Sequence, residues 1–252
     1  MVLLWGVWMM FERTAMTRKI GFLMPALAFM LITMCSVRVA AANEPPGYIF
    51  VAGWYKDLGL QRAYNEAVVP VLREFGYERS VMGTPGVNLR VVEGDWTPRM
   101  TLLIKFPSEE RAKAFWWSDA YQQVKQIRMP VSAVDIVQVE GVEGVVPLLN
   151  AESAYLVFLA EIKDRPAFEA DYLRSAPAVV KQHGGRFLVS ASRADLELLE
   201  GEFGNMRLAI VEFASAAALR GFWDSAEYQR LAAIRRGTGK WSVVEIMPRP
   251  AR

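Results

Sequence analysis

The sequence predicts an α+β fold in which two copies of one small domain pack sheet to sheet within a single chain. Three observations support this prediction. A sequence pattern recurs at a spacing of 107 residues, each copy has the element order β-α-β-β-α-β, and the strands are apolar on both faces. An apolar leader precedes the two copies.

The leader has the three parts of a secretory signal peptide in the expected order. Arg18 and Lys19 form a positive segment, residues 20–37 form an apolar run, and the small residues Ala40–Ala42 precede Asn43. We therefore expect a signal peptide over residues 1–42 and a mature protein in the periplasm or outside the cell. The alternative is an uncleaved anchor, because an 18-residue apolar run is near the lower limit for spanning a bilayer.

The position of the charged segment also bears on the start of translation. An apolar stretch over residues 1–11 lies ahead of Arg18 and Lys19, whereas a start at Met16 gives a signal of ordinary proportions. Cleavage before Asn43 would remove the anchor, so we expect no stable membrane attachment afterwards.

Composition excludes several classes of partner and chemistry. The chain carries 29 Lys and Arg against 27 Asp and Glu, and loss of the leader changes the net charge from +2 to about −1. No concentrated basic face is evident, so nucleic acid is not an expected partner. The single cysteine, Cys35, lies in the leader, which excludes disulfides and thiol chemistry from the mature chain.

The internal repeat sets the domain boundaries. Three segments of the first copy recur 107 residues later. They are Glu93-Gly94-Asp95-Trp96 with Glu200-Gly201-Glu202-Phe203, Ser118–Gln122 with Ser225–Gln229, and Arg128 with Arg235. Tyr64 and Tyr172 match at 108, which one compensating residue explains. We predict a first repeat over 43–141, a linker over 142–153 and a second repeat over 154–252.

Periodicity gives the elements of each repeat. In the second copy the expected order is strand, helix, two short strands, strand, a helical region interrupted near Asp224-Ser225, and a final strand. These segments are 155–162, 166–183, 186–190, 196–200, 206–213, 215–235 and 241–247. The short strands 186–190 and 196–200 are predicted to form a hairpin. This order is ferredoxin-like.

The strands also predict how the repeats associate. The runs 155–159 and 208–211 are apolar at successive positions, so both faces of the sheet should be covered. Helices of this fold cover one face, and the sheet of the other repeat is the expected cover for the second. We therefore predict an intrachain pseudo-dimer, and further oligomerisation remains open.

The second copy resembles the DUF1330 family, a family of domains of unknown function, along the whole repeat. The residues that carry the resemblance are Tyr172, His183–Val189, Leu199–Gly201, Val211–Phe213, Phe222-Trp223, Ser225–Tyr228 and Arg235. The first copy carries the same pattern, with Tyr77-Glu78 in place of the Gly-Gly-Arg part. The resemblance implies the dimeric α/β-barrel superfamily, whose single-domain members pair through their sheets. It implies no activity.

His183 is the one histidine of the chain. With no mature cysteine, a zinc or copper site would need carboxylates almost alone, so we expect no metal site. A haem needs only one histidine, yet His183 precedes Gly184-Gly185, where a helix C-terminal residue is the simpler interpretation. We expect no cofactor.

The repeated Glu-Gly turn supplies the remaining candidates. Glu93 and Glu200 end strands beside a glycine, and Arg186 lies on the adjoining strand of the predicted hairpin. Such a carboxylate and guanidinium could orient or protonate a small ligand. The structural alternative is a cross-strand ion pair. His183, Arg186, Glu200 and Glu93 are thus the candidate ligand-binding residues, and no catalytic residue is identified.

Two classes of function remain open. One is a protein that binds a small molecule between its sheets or has another noncatalytic role. The other is a metal-free enzyme of the cofactor-independent oxygenase or isomerase type, as the superfamily resemblance permits, with His183, Arg186 and Glu200 around one pocket. The sequence has no phosphate-binding loop and no G-x-S-x-G motif.

Overall fold

The computed structural model describes residues 44–97 and 99–249. The predicted signal peptide, its cleavage site and the start at Met16 lie outside these residues. Within them, no helix combines the length and the apolar character needed to cross a membrane.

Both repeats have the predicted element order. The first contains β1 Gly47–Tyr55, α1 Leu58–Glu74, β2 Arg79–Gly83, β3 Leu89–Glu93, β4 Met100–Phe106, α2 Glu109–Trp117, α3 Asp119–Arg128 and β5 Ser132–Glu140. The second contains β6 Ala154–Ile162, α4 Arg165–Ala167 continued by a π-helical turn Phe168–Leu173, α5 Ala176–Gln182 and β7 Arg186–Ala191. It continues with a 3₁₀ turn Arg193–Asp195, β8 Glu197–Glu200, β9 Arg207–Phe213, α6 Ala216–Trp223, α7 Ala226–Gly237 and β10 Gly239–Ile246.

The repeated serine divides the second helical region of each repeat. Ser118 Oγ accepts a hydrogen bond from the Tyr121 amide and donates one to the Phe115 carbonyl, so it ends α2 and caps α3. Ser225 makes the same two hydrogen bonds between α6 and α7. A serine at an N-cap satisfies an otherwise free helical amide, so a new helix begins at each of these residues. The predicted interruption near Asp224-Ser225 is therefore confirmed.

The strands form two five-stranded antiparallel sheets. The first sheet has the order β2-β4-β1-β5-β8 and the second has the order β3-β10-β6-β9-β7. Each repeat thus gives one short strand to the other repeat's sheet: β8 pairs with β5, and β3 pairs with β10. We call β3 and β8 the exchanged strands.

This exchange makes the predicted hairpin between 186–190 and 196–200 wrong. After β7 the chain turns through Arg193–Asp195 and crosses to the first sheet, so β7 and β8 lie in different sheets. The physical reason is that β5 and β10 would otherwise end their sheets with unpaired backbone groups, which the exchanged strands satisfy.

The pairing of each exchanged strand with the other repeat's sheet also explains the repeated glycine. Gly94 and Gly201 follow the exchanged strands with φ of +83° and +76°. A Cβ at Gly94 would lie 2.2 Å from the Trp241 carbonyl oxygen, and one at Gly201 would lie 2.4 Å from that of Val134. Only glycine combines this conformation with such a close approach between backbones.

The two sheets face each other across one hydrophobic core, which confirms the predicted intrachain pseudo-dimer. Side chains from β1, such as Tyr48 and Phe50, belong to the same buried cluster as Tyr155 and Val157 of β6. The outer face of each sheet is covered by the helices of its own repeat. Both faces of each sheet are therefore covered, as the apolar strands predicted.

Candidate functional site

A cavity of about 280 Å³ lies between the outer face of the first sheet and the helices of the first repeat. Its wall combines aliphatic side chains of the sheet with tyrosines and one arginine. The lining includes Ile49, Val51, Leu102, Ile104, Val134, Ile136, Met82, Met100, Tyr55, Tyr64, Tyr121, Trp116 and Arg128. The space between the two sheets, where the sequence predicted a ligand, is instead occupied by the shared core.

The polar part of the cavity wall centres on Arg128, the last residue of α3. Its side chain is 2% exposed, and it donates two parallel hydrogen bonds of 2.8 Å to the carboxylate oxygens of Glu200. It also donates to the Tyr121 hydroxyl at 3.0 Å. Lys125 lies 2.9 Å from the same carboxylate. Because Glu200 pairs with the buried guanidinium, the charge of Arg128 does not face the cavity unpaired.

Three tyrosines of the cavity keep their protons at neutral pH. Burial raises the pKa of Tyr64 and of Tyr121, and it raises the pKa of Tyr55 to about 12. A phenol in this state donates a hydrogen bond and does not act as a base near pH 7. These hydroxyls can therefore orient a ligand oxygen rather than remove its proton.

The corresponding space in the second repeat is filled. Only about 20 Å³ remains there, among Phe158, Phe187, Trp241 and residues of the π-helical turn. At the 107-residue spacing, Phe158 stands for Val51, Trp241 for Val134 and Phe187 for Ser80. The Trp241 ring also packs on those of Phe168 and Tyr172, with centroids 5.9 and 5.7 Å apart. Larger side chains thus occupy the enclosed space between sheet and helices that the first repeat keeps open.

The repeated Glu-Arg pair joins the two repeats. Arg235 donates to the two carboxylate oxygens of Glu93 at 2.7 and 2.8 Å, and Arg236 donates to one of them at 3.1 Å. This is the counterpart of Arg128 with Glu200. Each exchanged strand therefore carries a carboxylate to a buried arginine of the other repeat.

Arg186 does not meet Glu200, so the predicted cross-strand pair is wrong. The Arg186 side chain donates to the Val146 carbonyl at 3.1 Å and lies 3.8 Å from the Glu212 carboxylate. Its strand, β7, is in the second sheet, whereas Glu200 ends a strand of the first sheet. The Glu212 carboxylate is buried and accepts hydrogen bonds from the Leu148 and Leu149 amides of the linker.

The structure places His183 at a helix end. It is the C-cap of α5, before Gly184 with φ of +72°, which matches the helix-end interpretation. Its ring meets Phe222 edge-on at 5.9 Å, and within residues 44–97 and 99–249 its buried Nε2 has no hydrogen-bond partner. The residues that line the 280 Å³ cavity include none of His183, Arg186 and Glu93, and Glu200 reaches its edge through Arg128.

The described part of the chain contains no group of three or more His, Cys, Asp or Glu residues placed to hold a metal ion. The residues that sequence reasoning missed are Tyr64, Tyr121 and Arg128, together with Val51 and Val134. Aligning the two repeats could have identified the cavity, because valines of the first repeat occupy positions where the second repeat has aromatic residues.

The two buried Glu-Arg pairs predict a loss of stability in acid. Burial by itself would raise the pKa of Glu93 and Glu200, but hydrogen bonds and charges from their basic partners lower it overall, below the usual 4.5. A carboxylate with a lowered pKa stabilises the fold fully above its unfolded pKa and loses that contribution as pH falls through the folded value. We expect the free energy of unfolding in urea to fall below about pH 4.5.

The Glu93→Gln, Glu200→Gln double variant is the control for this prediction. It removes both titrating groups, so its stability should depend less on pH over the same range. If the variant and the original protein lose stability with the same slope, the two pairs do not cause the acid sensitivity.

Comparison with solved structures gives matches at low sequence identity. A proposed monooxygenase from Fusobacterium nucleatum subsp. nucleatum matches with a TM-score of 0.50 and 11% identity, over 82% of this chain and 94% of that chain. An anthrone oxidase-like protein matches at 0.47 with 14% identity, over 82% and 93%. A chlorite dismutase variant from Candidatus Nitrospira defluvii matches at 0.41 with 9% identity, over 84% and 95%. At these identities the similarity concerns the fold alone.

No curated protein sequence matches the chain. The family model described as "Domain of unknown function (DUF1330)" matches twice, over residues 46–142 and 153–247. The two matches follow the two repeats, and together they cover most of the chain. With its two tandem repeats, the chain belongs to the DUF1330 family.

Proposed function

We propose that this protein is an exported small-molecule-binding protein whose ligand occupies the cavity of the first repeat. The observation that carries the proposal is the difference between the repeats: the first keeps about 280 Å³ of space, and the second fills the equivalent position with Phe158, Phe187 and Trp241. The signal-peptide pattern of residues 1–42 supports export.

The chemistry of the wall defines the ligand class. Val51, Leu102 and Ile136 offer apolar contacts, whereas Tyr64 and Tyr121 offer hydroxyl groups beside the neutralised Arg128. At the packing density of a protein interior, a cavity of this volume accommodates a molecule of roughly 200 Å³. We infer a small, neutral and largely apolar molecule that carries a phenol or carbonyl oxygen.

Binding is favoured over metal-free catalysis because the cavity lining contains no group suited to act as a base near neutral pH. Burial raises the pKa values of Tyr55, Tyr64 and Tyr121, and the guanidinium of Arg128 is held by Glu200. A cofactor-independent oxygenase or isomerase needs a group that removes a substrate proton. The alternative enzyme would therefore require a base brought by the substrate or by a conformational change.

The test is a calorimetric titration of the protein with 2-naphthol, a neutral bicyclic phenol. We expect saturable binding of one molecule per chain. Val134→Trp, which copies Trp241 of the second repeat into the cavity, should weaken this binding at least 100-fold because the indole would occupy the ligand's space.

Val87→Trp is the matched control, since Val87 is 57% exposed on a loop of the first repeat. It should bind 2-naphthol as the original protein does. Urea unfolding of both variants distinguishes a filled cavity from a misfolded chain. Binding that survives Val134→Trp in a folded protein would exclude the cavity as the ligand site.

A further inference from the structure

A second, chemically different concavity lies in the second repeat. It is an open groove of about 490 Å³ at the end of the second sheet where β6 stops and β9 begins. The residues used in the following argument are Ile162, Arg165, Phe168, Arg193, Asn205 and Arg207. Three of these six side chains are arginines, whereas the cavity of the first repeat has one arginine, already paired with Glu200.

Of the three arginines, Arg207 is partly buried and has no carboxylate partner in the described part of the chain. It begins β9, where it lies half-buried, and its Nη2 donates to Ser190 Oγ at 2.9 Å. Its guanidinium carbon lies 5.2 Å from the centre of the Phe168 ring. Among the residues the structure describes, no carboxylate lies within 4.0 Å of this guanidinium. Most of its five donors are therefore available toward the groove.

The neighbouring charged side chains do not neutralise Arg207. Arg193 donates to the carbonyls of Gly204 and Leu196, at 2.9 and 3.0 Å, which orients the side chain without neutralising it. Arg165 is paired with Glu169 at 2.9 Å on the exposed rim. Asp195 is the other acid nearby, and its Oδ2 already accepts hydrogen bonds from the amide and hydroxyl of Ser192.

The fold compensates the partial burial of Arg207 only in part. Burial lowers the pKa of Arg207, and the charge of Asp195 offsets this effect only in part. At the corresponding position the first repeat has Met100, an uncharged residue that lines its cavity. The two repeats thus place side chains of opposite polarity at one structural position.

We propose that this groove binds the oxyanion group of a small molecule, a carboxylate or a phosphate, held by Arg207 and Arg193. A planar guanidinium fork matches the two oxygens of such a group and gives paired hydrogen bonds. Asn205 supplies a further donor on the wall, and Phe168 and Ile162 give apolar contact to the remainder of the molecule. The duplicated repeats then carry two sites of different ligand class, and this proposal does not depend on the first one.

Arginine side-chain NMR tests the proposal directly. The protein, labelled with ¹⁵N, is titrated with inorganic phosphate and separately with citrate, at constant ionic strength maintained with chloride. We expect saturable shifts of the Nε–Hε signals of Arg207 and Arg193 with at least one of the two anions. The anion that binds more tightly identifies the group as phosphate or carboxylate.

Arg207→Met restores the residue of the first repeat and should weaken anion binding at least tenfold. Arg230→Met removes one positive charge from an exposed position on α7, where the Arg230 side chain is 71% exposed, and should leave binding unchanged. Arg207→Lys keeps the charge without the fork and should give an intermediate affinity. Shifts that do not saturate, or equal losses in the methionine variants at 207 and 230, would overturn the proposal.

Discussion

Glu93→Ala is expected to lower the free energy of unfolding by about 3–5 kcal/mol, because it leaves a buried arginine without its counter-charge. The Arg235 side chain has 0% exposure, and its guanidinium makes two hydrogen bonds to Glu93 across the boundary between the repeats. Urea unfolding followed by circular dichroism measures the effect. The equivalent substitution Glu200→Ala should have an effect of similar size through Arg128.

Glu197→Ala is the matched control for this prediction. Glu197 also lies on an exchanged strand and pairs with the other repeat, through Lys113 at 3.1 Å. That pair is far more exposed than Glu93 with Arg235, so its loss should cost less than about 1 kcal/mol. Equal costs for Glu93→Ala and Glu197→Ala would show that burial does not determine the value of these pairs.

A double variant distinguishes the loss of the ion pair from the cost of burying one unpaired charge. Glu93→Leu with Arg235→Met removes both charges and should recover much of the stability lost in the single variants, since no unpaired charge stays buried. If the double variant is as unstable as Glu93→Ala, the pair contributes through hydrogen-bond geometry that apolar side chains do not replace.

The element order and the pairing of the sheets follow from local signals in the sequence. Short runs of apolar residues mark the strands. Ser225 caps a helix where the sequence predicted an interruption, and Ser118 does the same in the first repeat. The exchange of β3 and β8 had no such signal. A short strand that returns beside its predecessor and one that crosses to another sheet have the same residue pattern, because the partner is set by distant residues.

The candidate site was less accessible to sequence reasoning than the fold. Glu93 and Glu200 were identified from their repetition, and the structure gives them a role at the repeat boundary. The cavity is space left unfilled between the first sheet and its helices, where Val51 and Val134 line the wall, and no single residue type announces it in the sequence. Its visible trace is the replacement of these valines by Phe158 and Trp241 in the second copy.

The second large effect concerns the separated repeats, which are expected not to be stable as monomers. A chain of residues 43–145 would lack β8, the edge strand of its own sheet, and would retain β3, whose partner β10 belongs to the other repeat. It would also expose the inner side chains of β1, including Tyr48 and Phe50, which are buried against the second sheet. At about 25 cal/mol per Å², exposing several hundred Å² of apolar surface costs on the order of 10 kcal/mol, comparable to the stability of a whole domain.

The measurement is the expression of residues 43–145 and residues 146–252, separately and together, followed by size-exclusion chromatography with light scattering. Each fragment alone should aggregate or form a dimer that reproduces the missing sheet contact, whereas the two together should elute as one complex of the intact protein's mass. The linker joins the repeats through Leu148 and Leu149, which are held by Glu212 of the second repeat, and this tether raises the effective concentration of each repeat for the other. A soluble, cooperatively folded monomer of residues 43–145 would contradict the requirement for a partner sheet, because that fragment contains neither β8 nor the second half of the core.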